Sequence, residues 1–146
     1  MQPLTLNFRV TTDDFSLAGQ ASSAVKHTLK DLGFATDIVR RTAIAMYEAE
    51  INMVIHANGG NITVTITPEE ICAVFADIGP GIPDIPLAMQ EGYSTAGEEA
   101  RNMGFGAGMG LPNMRRNADS FHIRSAEGCG TVIRMAFDLQ GSLREG

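Results

Sequence analysis

The sequence has few cysteines, no long apolar run and fewer positive than negative charges. Its two cysteines, Cys72 and Cys129, are too few for a disulfide scaffold or a CxxC metal site, and we expect both to be buried, reduced thiols. No apolar run approaches the roughly 20 residues that cross a bilayer, and the N-terminus lacks the pattern of a secretory signal. A formal net charge of −6 disfavours binding to nucleic acid. These absences predict a cytoplasmic protein with neither a membrane nor a nucleic-acid partner.

What is present is enough for one globular domain. The chain has 146 residues, of which 44% are apolar and 19% charged, so a sizeable core can form. We expect one domain over residues 1–139 and a flexible tail over residues 140–146. No internal repeat divides the domain further.

The order of apolar patterns predicts the fold class. Strands are expected at residues 4–10, 62–67, 71–77, 120–125 and 131–137, and helices from Asp13 or Asp14 to Leu32, from Thr36 to about Asn58, and over residues 111–118. Between the third strand and the third helix lies a long glycine-rich segment, which is typical of a functional loop. Strand pairs separated by helices predict an α+β two-layer sandwich, with a mixed, mostly antiparallel sheet and helices on one face.

Three polar residues recur on the second helix, in a segment that is otherwise apolar. Glu48, Asn52 and His56 are spaced by four residues, which places them on one helix face. Because buried polar groups are costly without partners, this row indicates a pocket lining. A solvated stripe is an equally good interpretation, and His56 alone is more typical of a structural histidine. Glu50, offset by two residues, is expected on a solvated face.

A second motif follows the third strand and reads Asp77-Ile78-Gly79-Pro80-Gly81-Ile82. Glycines let the backbone approach a flat ligand, and an aspartate there can accept a hydrogen bond from an exocyclic amine such as that of adenine. The same residues also form ordinary turns, so this motif alone is weakly specific.

A third motif, at residues 104–112, contains Gly104, Gly106, Gly108, Met109, Gly110 and Leu111 and runs directly into a helix. Free amides and the helix dipole favour phosphate binding at such a helix start. The motif lacks the Gly-Lys-Ser/Thr of a Walker A loop, and its glycines do not have dinucleotide-binding spacing. A simple hinge is the alternative.

Together the three motifs resemble those of the GHKL (Bergerat-fold) ATPases, which include gyrase-type topoisomerases, heat-shock chaperones, histidine kinases and mismatch-repair ATPases. The resemblance extends from about residue 4 to residue 138. Within this group, the small size and the run from Gly108 to Arg116 are similar to the anti-sigma regulatory factor kinases. Those proteins are serine/threonine kinases of bacterial partner-switching systems.

The resemblance implies a role for each matching residue. Glu48 would be the general base, Asn52 a Mg²⁺ ligand, and Asp77 the group that recognises adenine, supported by the Thr131 hydroxyl. Positions expected to contact ATP or ADP are His56, Gly79, Gly81, Ile82, Gly104, Gly106, Gly108, Met109, Gly110 and Leu111. Residues 84–107 would form a lid that closes over the nucleotide.

Two departures from the family pattern leave the function open. Gly106 and Ala107 stand where kinases of this family often carry a basic residue, and Arg101 is the nearest cation. Glu50 and Ile51 replace small or hydroxylated residues. The leading hypothesis, which the resemblance implies, is transfer of the ATP γ-phosphate to a serine or threonine of a STAS-type partner. The alternative is a nucleotide-dependent switch that sequesters a sigma factor without phosphotransfer, and in either case the resemblance allows for a homodimer. A detached histidine-kinase catalytic domain is disfavoured, because no dimerisation helix with a phosphoacceptor histidine is present.

Overall fold

The computed structural model describes residues 2–12, 18–82, 85–90, 110–126 and 128–139. These ranges contain the elements β1 Leu4–Val10, α1 Gln20–Asp31, α2 Thr36–Ile55, β2 Gly60–Ile66, β3 Glu70–Asp77, α3 Ile85–Ala88, α4 Gly110–Asn117, β4 Ser120–Ala126 and β5 Gly130–Asp138. The predicted order of strands and helices is confirmed, with the short helix α3 as an addition. The predicted tail at residues 140–146 and the predicted caps Asp13 and Asp14 lie outside the described residues.

The five strands form one sheet in the order β1-β2-β3-β5-β4. Each neighbouring pair of these strands is antiparallel, so the α+β class is confirmed, while the parallel pairing that a mixed sheet would contain is not found among them. The register aligns Ile62 with Phe75 and Phe75 with Ile133. Because side chains alternate between the faces of a strand, these apolar residues all lie on one face of the sheet.

The core lies between that face and the helices. Ile62, Phe75 and Met135 from the sheet are buried in one cluster with Met46 of α2 and Met114 of α4. On the opposite face, the alternate positions of the strands are partly or largely exposed, as at Thr63, Val74 and Val132. Within the described ranges, no helix combines the length and apolarity that a membrane crossing requires.

The expectation of a solvated Glu50 is wrong. Its side chain is buried, with 3% of the residue exposed, and its carboxylate accepts backbone N–H groups from Gly19 at 2.9 Å, Ala21 at 3.2 Å and Ser22 at 3.0 Å. α1 packs against α2, so the first amides of α1, which have no partner within their own helix, point at this carboxylate. Glu50 therefore caps the N-terminus of a neighbouring helix.

Several local predictions also need correction. α1 begins at Gln20, and α2 has Ala35 rather than Thr36 at its N-cap and ends at Ile55. The expected burial of both cysteines is wrong: Cys72 is partly exposed, and Cys129 is exposed. Cys129 lies in the tight turn between β4 and β5, where the chain leaves the sheet and no longer contributes to the core.

Candidate functional site

Glu48 and Asn52 of α2 meet the first residue of α4. A Cβ atom built on Gly110 would lie 3.2 Å from Asn52 Oδ1 and 3.3 Å from Glu48 Oε2. Any side chain at this position would therefore crowd both polar groups, and the glycine permits the close approach. The structure thus brings together two members of the predicted helical row and one glycine of the third motif.

The Glu48 carboxyl group is partly buried, and burial raises its pKa above the ordinary glutamate value. A hydrogen bond from the Asn113 side chain acts in the opposite direction and favours the ionised form. Asn113 lies on α4 three residues after Gly110, so the same helix supplies both neighbours. A partly buried carboxylate with a raised pKa is the type of group that accepts protons near neutral pH.

His56 forms the C-terminal cap of α2, and its backbone N–H donates to the Asn52 carbonyl at 2.9 Å. Burial lowers the pKa of its imidazole, which favours the neutral ring. The next residue, Ala57, approaches the Asp77 loop so closely that a Cβ on Gly79 would lie 3.0 Å from the Ala57 Cα and Cβ atoms. The C-terminal end of α2 and the second motif are therefore in contact.

Asp77 ends β3 on the sheet face that the helices cover. Its Oδ1 atom accepts the backbone N–H of Thr131 at 2.8 Å, and a Cβ on Gly130 would lie 3.0 Å from the same oxygen. Burial raises the pKa of Asp77, while the Thr131 N–H lowers it. Thr131 thus contacts Asp77 through its backbone amide, whereas its predicted part in adenine recognition was through the hydroxyl.

The Thr131 hydroxyl instead pairs with Ser125, a residue that none of the three sequence motifs includes. The two side-chain oxygens are 2.8 Å apart, and Ser125 Oγ also lies 3.2 Å from the Gly130 carbonyl. The same Ser125 oxygen accepts the backbone N–H of Ile82 at 2.6 Å. Ser125 therefore links the loop after Asp77 to the β4–β5 hairpin by hydrogen bonds.

A second bond supports this attachment. The Gly128 N–H in the hairpin turn donates to the Pro80 carbonyl at 2.9 Å. Gly81 has a φ of +80° and lies so close to Ala126 that a Cβ atom would overlap its carbonyl oxygen. Glycine is thus required at position 81 both for its backbone conformation and for space.

The remaining predicted positions divide into two groups. Leu111 is buried, with 6% exposed, and Ile82 is partly buried against the core, so both anchor their loops to the domain. Gly104, Gly106, Gly108, Met109 and Arg101 lie outside the described residues. Of the predicted lid, residues 85–90 are described and contain α3, and the remainder is outside.

The model of the histidine kinase-, DNA gyrase B-, and HSP90-like ATPase family matches residues 37–141 of this chain. The matched range runs from the start of α2 through β5 and contains the polar row, the Asp77 loop and α4. The chain belongs to this ATPase family. Its membership confirms the superfamily predicted from the motifs and makes the protein an ATP-binding protein.

Individual proteins related to this ATPase domain are also found. This chain is 34% identical over 113 residues to the serine/threonine-protein kinase RsbT of Bacillus subtilis (strain 168), in an alignment that covers 75% of this chain and 79% of the relative. It is 35% identical over 122 residues to the anti-sigma F factor of Pasteuria penetrans, covering 79% of this chain and 73% of the relative. Both relatives have names typical of the kinase family that the motifs resemble.

A solved structure shares the fold of the ATPase domain. The mycobacterial sensor histidine kinase MprB superimposes with a TM-score of 0.51 over 92% of this chain and 97% of that chain. The sequence identity is only 16%, so this likeness supports the fold and not a particular activity.

Proposed function

We propose that this ATPase-family protein is a serine/threonine protein kinase that transfers the γ-phosphate of ATP to a hydroxyl group of a protein partner. Following the resemblance to anti-sigma regulatory factor kinases, the partner would be a STAS-type antagonist, and a sigma factor would be a second protein that it binds. The domain proper would span residues 1–139. We further propose a cytoplasmic location and a homodimer, again by the same resemblance.

One observation carries the proposal: Glu48 and Asn52 lie side by side at the first residue of α4. Helix N-termini favour phosphate groups, because their amides are unpaired and the dipole is positive there. We therefore propose that a nucleotide bound at the start of α4 presents its terminal phosphates to this carboxylate and this amide oxygen. The amides around Gly106, Gly108 and Gly110 are proposed to hold these phosphates, with residues 84–107 closing over them.

Asn52 is proposed to hold Mg²⁺. Its Oδ1 atom is the nearest side-chain atom to the Gly110 position, and an amide oxygen is a ligand that this hard cation accepts, usually together with phosphate oxygens and water. When bound, Mg²⁺ would neutralise charge on the phosphates during transfer. Among the described residues, no cluster of three or more His, Cys, Asp or Glu side chains forms a metal site.

Glu48 is proposed to be the general base. The hydroxyl oxygen of the partner's serine or threonine attacks the γ-phosphorus, the bond from phosphorus to the ADP oxygen breaks, and Glu48 takes the hydroxyl proton. The products are a phosphorylated partner and ADP. Partial burial gives the carboxylate a pKa nearer to neutral than that of an exposed glutamate, which suits reversible proton transfer.

Asp77 is proposed to recognise adenine. Its Oδ1 atom already accepts the Thr131 amide, and Oδ2 would accept the exocyclic amine of the base. Gly79 and Gly81 would line the base pocket, where their contacts with Ala57 and Ala126 keep the loop close to the domain. His56, at the end of the same row as Glu48 and Asn52, is proposed to lie at the edge of this pocket.

Transfer of labelled phosphate tests the proposed kinase activity. The protein is incubated with γ-labelled ATP, Mg²⁺ and a candidate STAS-domain partner, and wild type is compared with Glu48→Gln and with the control Glu69→Gln at an exposed turn position. We expect Glu48→Gln to bind ATP normally and to lose at least about 100-fold of the transfer rate, while the control is unchanged. Normal phosphorylation by Glu48→Gln would refute the base role.

A nucleotide-dependent binding switch is the second candidate, and one observation favours it. Gly106 and Ala107 stand at the position where related kinases often carry a basic residue, and positive charge there assists phosphoryl transfer. In a switch, partner capture would depend on ATP or ADP while the partner stays unlabelled. The same incubation, followed by measurement of both capture and label, separates the two functions.

A further inference from the structure

A groove open to solvent lies between the start of α1 and the middle of α2. It encloses about 590 Å³, a volume typical of ligand sites. The lining residues that the following argument uses are Gly19, Ser22, Lys26, Ile44, Tyr47 and Glu48. Two of the large apolar side chains among them, Ile44 and Tyr47, are 36% and 38% exposed. The groove therefore presents apolar surface beside the proposed general base.

The α1 wall of the groove is held by contacts with α2. The Glu50 carboxylate accepts the backbone N–H groups of Gly19 at 2.9 Å and of Ser22 at 3.0 Å. Ser22 Oγ in turn donates to the Gly19 carbonyl at 3.0 Å. Gly19 has a φ of +99°, and a Cβ atom there would lie 3.0 Å from Tyr47 Cε1, so glycine lets the ring pack against the start of α1. The groove is thus preformed, which lowers the entropic cost of binding to it.

Glu48 connects this groove to the proposed nucleotide site. The residue borders the groove and also meets the start of α4 at Gly110. In the proposed transfer, Glu48 must contact the acceptor hydroxyl while ATP occupies the start of α4. The acceptor therefore needs an approach to Glu48 that the nucleotide leaves open, and the groove provides one from the α1 side.

Lys26 gives the groove a positive charge at a distance from Glu48. α1 and α2 are joined by the four residues 32–35, a connection typical of antiparallel helices. Because Tyr47 packs against Gly19, Lys26 lies about two turns further along α1, roughly 10 Å from the Tyr47 ring. An extended chain covers about 3.4 Å per residue. An acidic side chain about three positions from the acceptor hydroxyl would therefore reach Lys26.

We propose that this groove binds the segment of the protein partner that carries the acceptor serine or threonine. Lys26 pairs with an acidic side chain of that segment, and Ile44 and Tyr47 cover an apolar one. The inference rests on the proposed kinase function and assigns a binding surface to its protein substrate. Tyrosine is one of the residues that contribute most to binding at protein interfaces, so Tyr47 is expected to determine affinity together with Lys26.

Steady-state transfer of labelled phosphate to a candidate STAS-domain partner tests the proposal. Lys26→Glu reverses the charge of the groove, and Tyr47→Ala removes its aromatic side chain. The matched controls are Lys30→Glu and Leu32→Ala, at exposed positions outside the lining. We expect both groove variants to raise the KM for the partner by at least about tenfold, with kcat and MgADP affinity within about twofold of wild type. The controls should behave as wild type.

Other kinetic outcomes overturn the proposal. Both groove variants could keep the wild-type KM for the partner, which would show that the partner does not bind in the groove. Equal rises of KM in the groove variants and the controls would show a general effect on α1 and α2. A fall in kcat at unchanged KM would show that positions 26 and 47 act on the chemical step instead.

A charge exchange tests the proposed pairing of Lys26. Each acidic residue of the partner within about four positions of the labelled hydroxyl is changed to lysine and combined with Lys26→Glu. One of these partner variants should recover most of the affinity that Lys26→Glu loses, and none should recover the loss in Tyr47→Ala. If no partner variant restores affinity to Lys26→Glu, the pairing is refuted.

Capture of the partner in the presence of MgADP separates this inference from the kinase function. If the wild type captures the partner without labelling it, and both groove variants capture it at least about tenfold more weakly, the kinase function fails and the groove stands as the binding surface. If transfer occurs and neither variant changes KM or capture, the groove fails alone. A wild type that neither labels nor captures any candidate partner contradicts both.

Discussion

Glu48 and Glu50 lie two residues apart on α2 and have different surroundings. Glu50 is buried and accepts three backbone N–H groups from the start of α1. Glu48 is partly exposed, contacts α4, and has a raised pKa that burial causes. The carboxylate of Glu50 is satisfied within the fold and joins two helices, whereas that of Glu48 is left available for a reaction. Their different environments give Glu50 a capping role and are consistent with the general-base role that is proposed for Glu48.

Removing the Glu50 carboxylate should destabilise the protein. In Glu50→Ala, three amides at the start of α1 lose their acceptor, and we expect the free energy of unfolding to fall by roughly 3 kcal/mol. Glu50→Gln, which keeps one acceptor oxygen, should lose less. Urea unfolding measures both, with the exposed Glu69→Ala as a control that should stay within about 0.5 kcal/mol of wild type. A loss of that small size in Glu50→Ala would contradict the capping role.

The raised pKa of Glu48 makes a prediction about stability and pH. The folded protein keeps the Glu48 proton at pH values at which the unfolded chain has released it, so this residue reduces stability as pH rises through that window. Glu48→Gln lacks the effect. In nucleotide-free, Mg²⁺-free urea unfolding between about pH 4 and 8, the variant should therefore gain stability relative to wild type as pH rises. If the difference in unfolding free energy between Glu48→Gln and wild type did not change with pH, the upward direction of the Glu48 pKa shift would be contradicted.

At the scale of the element, the β4–β5 hairpin holds the loop that follows Asp77. Ser125 contacts Ile82 of the loop and Thr131 of the opposite strand, and the register pairs Ser125 with Thr131 directly. The turn residue Gly128 adds a bond to Pro80. The loop that is proposed to form the base pocket is thus supported by a distant hairpin, since Ser125 lies 43 residues beyond Ile82 in the chain.

Ser125→Ala should weaken this support. We expect the free energy of unfolding to fall by about 1 kcal/mol and adenine-nucleotide affinity to fall by about threefold to tenfold, because the loop loses an anchor. Thr63→Ala is the matched control, since its hydroxyl bonds Asn7 on the exposed side of the sheet and should leave affinity unchanged. Calorimetric titration with MgADP makes the comparison, and equal affinities for the two variants would refute the anchoring role.

The contacts of Ser125 could not be predicted from the sequence, whereas the strands and the polar row could. The alternation of apolar residues predicted each strand, and the four-residue spacing predicted that Glu48 and Asn52 share one face of α2. Both patterns are local in the sequence. The contact of Ser125 with Ile82 depends on how a loop folds over a hairpin, which no local period encodes. Glu50 was mispredicted for the same reason: helical spacing shows that it points away from Glu48, but not that α1 covers that side.

At the scale of the whole molecule, the sheet and helices bring described residues of three separate sequence motifs together around α2 and its C-terminal end. Asp77 ends a central strand on the helix-covered face, α2 contacts the loop after it through Ala57, and α4 returns to α2 at Gly110. The family match includes all of these elements. The positions of Glu48, Asn52, Asp77 and Gly110 follow from the antiparallel sheet order and from the packing of α2 and α4, so the proposed site depends on the fold of the whole domain.

The central claim is that Glu48, Asn52, Asp77 and Gly110 belong to a single adenine-nucleotide site. Isothermal titration calorimetry with MgADP and MgGDP tests it most directly, on wild type, Asp77→Ala and the exposed control Asp31→Ala. We predict that wild type and control bind MgADP and discriminate against MgGDP, and that Asp77→Ala loses at least about tenfold in MgADP affinity. Absence of heat with wild type, or unchanged affinity in Asp77→Ala, would contradict the account.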